Sequence, residues 1–110
     1  MLPKSQRLNL KTDFKWVVNG QKLETKNFKI FLRQGENDVP RIGIALSSQV
    51  FKKATLRSKA KRLTSRAVEQ IYSSLKRNLN LVIMPKGSCL TSQPDQLVEE
   101  LKYVKNLSFD

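Results

Sequence analysis

The chain has no histidine, and its 110 residues include one cysteine, Cys89. Zinc-type ligand spacings need several residues drawn from these two types, so they are absent. A lone cysteine has no internal disulfide partner. Beside Pro85, Gly87 and Ser88 it reads as an incidental loop residue rather than a nucleophile. Acidic side chains are scarce. There are nine, with Asp13, Glu24, Glu36 and Asp38 scattered and the others from Glu69 onward. A two-metal nuclease centre needs clustered carboxylates, so no metal site and no hydrolytic centre is expected in this chain. No stretch matches a phosphate loop or a dinucleotide fingerprint. No apolar run approaches the roughly 20 residues of a membrane span, and no signal-peptide pattern opens the chain. A cytoplasmic setting without membrane contact is therefore expected.

What the chain has in excess is positive charge. Lys and Arg number 21, for a formal net charge of +12. Such a field repels itself in the folded state but suits a polyanion, whose condensed counterions are released on binding. It is also unevenly placed. Residues 1–68 hold 16 basic and 4 acidic side chains, whereas residues 69–110 hold five of each. A merely solubilising charge would not sort itself this way. The length implies a single small domain over 1–110. Residues 1–11 form a basic arm, with Lys4, Arg7 and Lys11, and this arm and the 107–110 end are expected to be flexible. Leu8 and Leu10 offer the arm a way to pin itself to the body.

Periodicity predicts an α+β fold in the order α-β-β-β-α-β-α. Thr12 or Asp13 is the expected cap of a short helix reaching Val18, stopped by Asn19 and Gly20, with Phe14 and Val18 on one face and Val17 nearby. A short extended stretch is expected over 22–25. Residues 28–34 alternate: Phe28, Ile30 and Leu32 on one side, Lys29, Phe31 and Arg33 on the other. After a turn at 35–38, residues 41–47 form the next strand, and the two strands are expected to pair as an antiparallel hairpin. A long helix follows, with Leu56, Ala60, Leu63, Ala67, Ile71 and finally Leu75 as its apolar stripe and Asn78 as its end. Residues 79–84 read as a buried central strand. Ser92 to Asp95 opens a last helix, lined by Leu97, Val98 and Leu101, with Val104 or Lys105 next. Asn106–Asp110 is a fraying end.

The long helix carries the chemistry. Between positions 52 and 66 there are seven basic residues and no acidic one. Lys59, Arg62 and Arg66 fall on one flank of the apolar stripe, Arg57 and Lys61 on the other. Arginine clamps phosphate in bidentate fashion, lysine supplies a mobile point charge, and the N–H groups near Thr55 are further donors. Lys52, Lys53, Arg57, Ser58, Lys59, Lys61, Arg62 and Arg66 are therefore the candidate contacts to a nucleic acid. On the second strand, Phe31 stands between Lys29 and Arg33, and an aromatic between cations suits base stacking beside phosphate contact. A small protein also needs phenylalanines for its core, so Phe31 and Phe14 can serve either purpose. Phe28 reads as core.

Ser47, Ser48 and Gln49, then Ala54, then Arg57-Ser58-Lys59-Ala60-Lys61-Arg62 and Leu63-Thr64, resemble the signature of the bacterial ribonuclease P protein. Leu2 to Lys4, Arg7-Leu8, Asp13-Phe14 and the strand opening Arg41-Ile42-Gly43 sit in that family's order and spacing, so the resemblance covers about residues 2–105. It implies a four-stranded sheet like that of ribosomal protein S5 domain 2, with a left-handed β-α-β crossover. It implies a protein that binds a catalytic RNA and the single-stranded 5′ leader of precursor tRNA. Endonucleolytic removal of the leader is then performed by the RNA and its magnesium. The resemblance places the leader in a cleft between the long helix and the open face of the sheet. Phe14 and Phe31 match the aromatics that the family places there, and Trp16, Val18, Lys29 and Arg33 complete the expected cleft. Val18 stands where an aromatic is commoner. The central asparagine of the family motif is Ser58 here and its second arginine Lys59, while two usual lysines are Ser48 and Gln49. Ser58 loses an amide's paired donor and acceptor, and Lys59 loses the planar fork. The second reading is a ribosomal or ribosome-associated RNA-binding protein of related fold.

Overall fold

The computed structural model describes residues 2–105, with side chains as far as Lys102. Seven main elements follow one another: α1 (Leu10–Val18), β1 (Gln21–Glu24), β2 (Phe28–Gln34), β3 (Arg41–Ile44), α2 (Ala54–Ile71), β4 (Leu79–Pro85) and α3 (Pro94–Lys105). The expected α+β order is present.

The sheet order is β1-β2-β4-β3. The expected hairpin between residues 28–34 and 41–47 does not form. Instead β4 lies between them, antiparallel to all seven residues of β2 and parallel to β3. The reason is burial. β4 is apolar on both faces, with Leu79, Leu81 and Ile83 on one side and Val82 on the other almost fully enclosed. Only a central position covers both faces of such a strand. β3 is also shorter than expected. After Ala45 the chain turns on Ser47, whose hydroxyl accepts from the N–H of Gln49 at 3.2 Å and of Val50 at 3.4 Å.

One sheet face packs against α2 and α3. Its core joins Phe28, Ile30, Leu32, Ile42, Leu81 and Ile83 to Ala60, Ala67, Val68 and Ile71 of α2 and to Leu97 and Leu101 of α3. The buried stripe of α2 is rotated from the expected one. Val68 and Thr64 are fully buried, Leu56 is 37% exposed, and Leu63 is only half-buried. Small side chains let the helix approach the sheet closely, and the Thr64 hydroxyl donates to the Ala60 carbonyl at 2.8 Å, so its burial is satisfied. The helix ends at Ile71 rather than Asn78. A 3-10 turn, Tyr72–Ser74, follows, and Leu75 packs from outside the helix. The Tyr72 hydroxyl donates to the Pro40 carbonyl at 2.6 Å, tying this turn to the β2–β3 loop. Cys89 lies in the 3-10 turn Gly87–Leu90 and is fully buried in the core. Burial pushes its thiol pKa up, against a smaller lowering by the Lys59 ammonium.

The other sheet face carries α1. Its cap is Asn9, one turn before the expected Thr12 or Asp13, and its side chain accepts from the Lys11 N–H at 3.1 Å. This earlier start places Leu10 in the helix, where it joins Phe14 and Val17 over Val82. The basic arm is held at the leucines that could pin it. The Leu8 N–H donates to the Ile42 carbonyl at 3.1 Å, Arg7 bridges Ile42 as a parallel strand residue, and Leu8 is buried. Gly43 makes room for this: a Cβ there would lie 2.6 Å from a Leu10 methyl.

A buried polar cluster fastens α3 to the β1–β2 turn. The Glu100 carboxylate accepts from the Asn27 backbone N–H at 2.7 Å, from the Asn27 side-chain amide, and from Gln96 at 3.3 Å. Ser88 and Ser92 donate to the Asn27 side-chain oxygen at 2.7 and 3.0 Å. Burial pushes the Glu100 carboxyl up, but hydrogen bonds from Thr25, Asn27 and Gln96 outweigh it and hold the group below the usual carboxylate range. The expected end at residues 106–110 lies outside the described residues.

Candidate nucleic-acid interface

The first basic surface is the outer side of α2. Because Ala60, Thr64, Ala67, Val68 and Ile71 are turned into the core, the cations between them face out. Ser58, Lys61, Arg62 and Arg66 are all exposed and line one continuous strip that ends at Glu69. The two expected flanks meet at this strip, because Lys61 lines it beside Arg62 and Arg66. Arg66 borders the groove against α3, and Lys59 lies near enough to Cys89 to act on its thiol. Lys61 borders a different groove, shared with Arg7 and Leu8 of the arm and with Ile42. That juxtaposition of Arg7 and Lys61 spans more than fifty positions of sequence and was not visible in it. Lys52 and Lys53 are exposed just before the helix, and Lys53 caps it without a side-chain hydrogen bond.

Arg57 differs from its neighbours. It is half-buried, and its guanidinium donates to the Phe51 carbonyl at 2.8 Å and more weakly to that of Lys52. It thus holds the loop that enters α2, leaving its remaining N–H groups for a ligand. Lys4 and Lys11 are exposed on the arm and at the start of α1.

The second surface is the sheet face beside α1. A cleft between this face and α2 is not possible, because α2 packs on the opposite face. The residues expected to line it gather around α1 instead. Phe31 and Phe14 are half-buried and pack on the small cluster of Leu8, Val17 and Val82, so each is partly core and partly accessible. Lys29 is exposed beside them. Cross-strand pairing places Lys22 opposite Phe31, with its ammonium 6.0 Å from the ring centroid. Lys22 was not among the expected residues, although its place in a strand two-residue-periodic with Glu24 was the available signal. Trp16 is 38% exposed, and the Arg33 guanidinium lies over its ring at 4.8 Å while donating to the Trp16 carbonyl at 3.0 Å. Val18 is half-buried in the last turn of α1.

At the edge of this face, Glu24 pairs with Lys86 at 2.6 Å and with Lys22 at 3.8 Å. The Lys86 ammonium holds the Glu24 carboxyl below its ordinary value. Among the described residues no group of three or more His, Cys, Asp or Glu could hold a metal ion. No helix among the described residues is long and apolar enough to cross a membrane. The arrangement therefore offers two cationic surfaces on opposite sides of one sheet, one of them with accessible aromatic rings.

A protein-family model described as Ribonuclease P matches residues 2–107. None of the curated proteins matches the chain by sequence. Among solved structures, an RNase P protein from Thermotoga maritima is 24% identical, with a TM-score of 0.81 over 94% of this chain and 98% of the other. An RNase P protein from Staphylococcus aureus is 21% identical, with a TM-score of 0.77 over 94% of each chain. At these identities the likeness is one of fold, and it extends over the α+β architecture described above.

Proposed function

This chain belongs to the bacterial ribonuclease P protein family, and from that premise we propose a division of labour between its two basic surfaces. Proteins of this family are non-catalytic RNA-binding subunits that assist a catalytic RNA in removing the 5′ leader from precursor tRNA, and that is the function of this chain. In the proposed division, α2 grips the catalytic RNA and the α1–β2 face takes the leader. The observation that carries it is the separation of the two surfaces by the sheet. The α2 strip and Phe31 lie on opposite sides, so two RNA elements can be engaged at once without competing.

On α2, Lys61, Arg62 and Arg66 supply phosphate contacts from a rigid rod, with Lys52, Lys53 and Lys59 adding point charge around them. Ser58 contributes one hydroxyl where an amide is usual in the family. Arg7 extends this surface along the Lys61 groove, and Lys4 and Lys11 lie on either side of Arg7 in the chain. On the other face, Phe31 and Phe14 present ring surface to unpaired bases while Lys22, Lys29 and Arg33 meet the backbone. Sequence-tolerant stacking suits a leader whose bases vary. The magnesium of the reaction belongs to the RNA, and the cytoplasm is the proposed setting.

The test is reconstitution with a bacterial ribonuclease P RNA at low magnesium. The protein is expected to raise the rate of 5′ cleavage of precursor tRNA over RNA alone. The gain should shrink as the leader is shortened. No gain with a full leader sinks the functional reading, and a gain independent of leader length sinks the assignment of the α1–β2 face.

A further inference from the structure

Beyond Phe31, the α1–β2 face ends in an open recess of about 780 Å³, bordered by Asp13, Trp16, Gly35, Glu36, Arg41 and Asn80. We propose that this recess is a guanine-selective subsite for an unpaired RNA base, an inference that rests on reading the α1–β2 face as a single-stranded RNA surface.

The wall and floor are built before any ligand arrives. Arg33 covers one side of the Trp16 ring and holds its backbone carbonyl, so the indole is fixed in place. At Gly35 the chain passes close to the ring's outer edge: a Cβ there would lie 3.1 Å from Trp16 Cη2 and 2.7 Å from the Asn80 amide nitrogen. The amides of Asn37 and Asn80 are committed to holding this floor. Asn80 donates to the Asn37 side-chain oxygen at 2.9 Å, and Asn37 donates to the carbonyls of Val39 at 2.6 Å and Leu79 at 3.2 Å. The charged groups are not committed. Asp13, Glu36 and Arg41 make no ion pair and no side-chain hydrogen bond among the described residues.

Two carboxylates at the mouth of a site disfavour a phosphate but accept hydrogen bonds from a base. Guanine alone presents two adjacent donors, N1–H and the 2-amino group, which the two oxygens of one carboxylate accept together. Its O6 and N7 are the acceptors that an arginine clamps. Adenine offers a donor beside an acceptor on that edge, which a carboxylate repels. Uracil has one donor between two acceptors. Cytosine, like adenine, sets an acceptor beside its donor, so an aromatic wall, a carboxylate and an arginine around one recess select guanine over the other three.

The experiment measures binding of the full chain to fluorescent uridine hexamers with one central guanine, adenine, cytosine or hypoxanthine. Guanine is expected to bind about 10-fold more tightly than adenine. Hypoxanthine, which lacks the 2-amino donor, should fall between them. Glu36→Gln or Asp13→Asn should flatten the preference while strengthening binding to the all-uridine hexamer, because a repelling charge has gone. Trp16→Ala should weaken the guanine hexamer most. Equal affinities for the four hexamers overturn the proposal, as does a preference that all three variants leave intact. Walking one guanine along the leader of precursor tRNA in the reconstituted holoenzyme identifies the source. One favoured position assigns the base to the leader. No favoured position, with weaker binding of the catalytic RNA by the Glu36→Gln protein, assigns it to that RNA. A holoenzyme that responds to protein at low magnesium but shows no base preference removes this inference and leaves the proposed function standing.

Discussion

β2 shows two surroundings within one strand. On its α2 side, Phe28, Ile30 and Leu32 are completely buried in the apolar core shared with α2 and α3. On its α1 side, Lys29 and Arg33 are exposed and Phe31 is half-covered. The difference lies in what covers each side. The 18-residue α2 and α3 close the first face, while the nine-residue α1 covers only part of the second. A face that is closed contributes stability and has nothing left to bind with. A face closed by half keeps aromatic surface in reach of a ligand and still excludes water from Val17 and Val82.

The largest effect expected from breaking this comparison is on the closed face. Phe28→Ala should cost about 3–5 kcal/mol, since it opens a cavity in a dry core. Phe31→Ala should cost clearly less in urea unfolding and instead weaken leader binding by about 1–3 kcal/mol, the usual worth of one stacked base. Equal stability losses would mean that the two faces are equally core.

The Glu100 cluster sharpens the same contrast, because it locks α3 over the closed face. Glu100→Gln should destabilise by about 1–3 kcal/mol, as buried donors lose their charged acceptor. The folded-state pKa is depressed, so this contribution is present above the usual carboxylate range and lost as pH falls through the folded value. The gap between wild type and variant in a denaturation series should therefore close on acidification. A gap that is constant with pH would remove the charge from the account.

A subtler effect separates two arginines of α2. Arg62→Ala should lower the slope of log affinity against log salt by about one unit while leaving stability near wild type. Arg57→Ala should also loosen the entry to the helix, lowering both affinity and melting temperature, because its guanidinium holds the Phe51 carbonyl. Identical behaviour of the two would show that Arg57 has no structural part. The smallest effect is expected at Leu56, where exchange to Gln should stay within about 0.5 kcal/mol, as for an ordinary surface position. A core-sized loss would restore Leu56 to the buried stripe.

The element order, the alternation of β2 and the concentration of cations on α2 were legible in the chain, because each follows from local periodicity and composition. Phe31 between Lys29 and Arg33 was readable for the same reason: neighbours two apart on a strand share a face. The position of β4 was not readable. Pairing between strands depends on which of them most needs both faces covered, and that is a competition among segments far apart in sequence. The missed hairpin, the side of the sheet that α2 occupies and the place of the cleft all follow from that competition. The rotation of α2 was hidden too. Thr64 and Ser65 look like surface residues until a neighbouring carbonyl and a close helix–sheet approach make their burial acceptable.

The sequence alone determined that this protein is a small, strongly basic α+β chain whose charge is directed at a polyanion, because net charge and short-range periodicity need no third dimension. Only the tertiary structure decided how that charge is divided. The sheet has two sides. Which helix covers which side is set by packing among distant residues, and that choice put Arg62 and Phe31 back to back and gathered Asp13, Trp16, Glu36 and Arg41 around one recess.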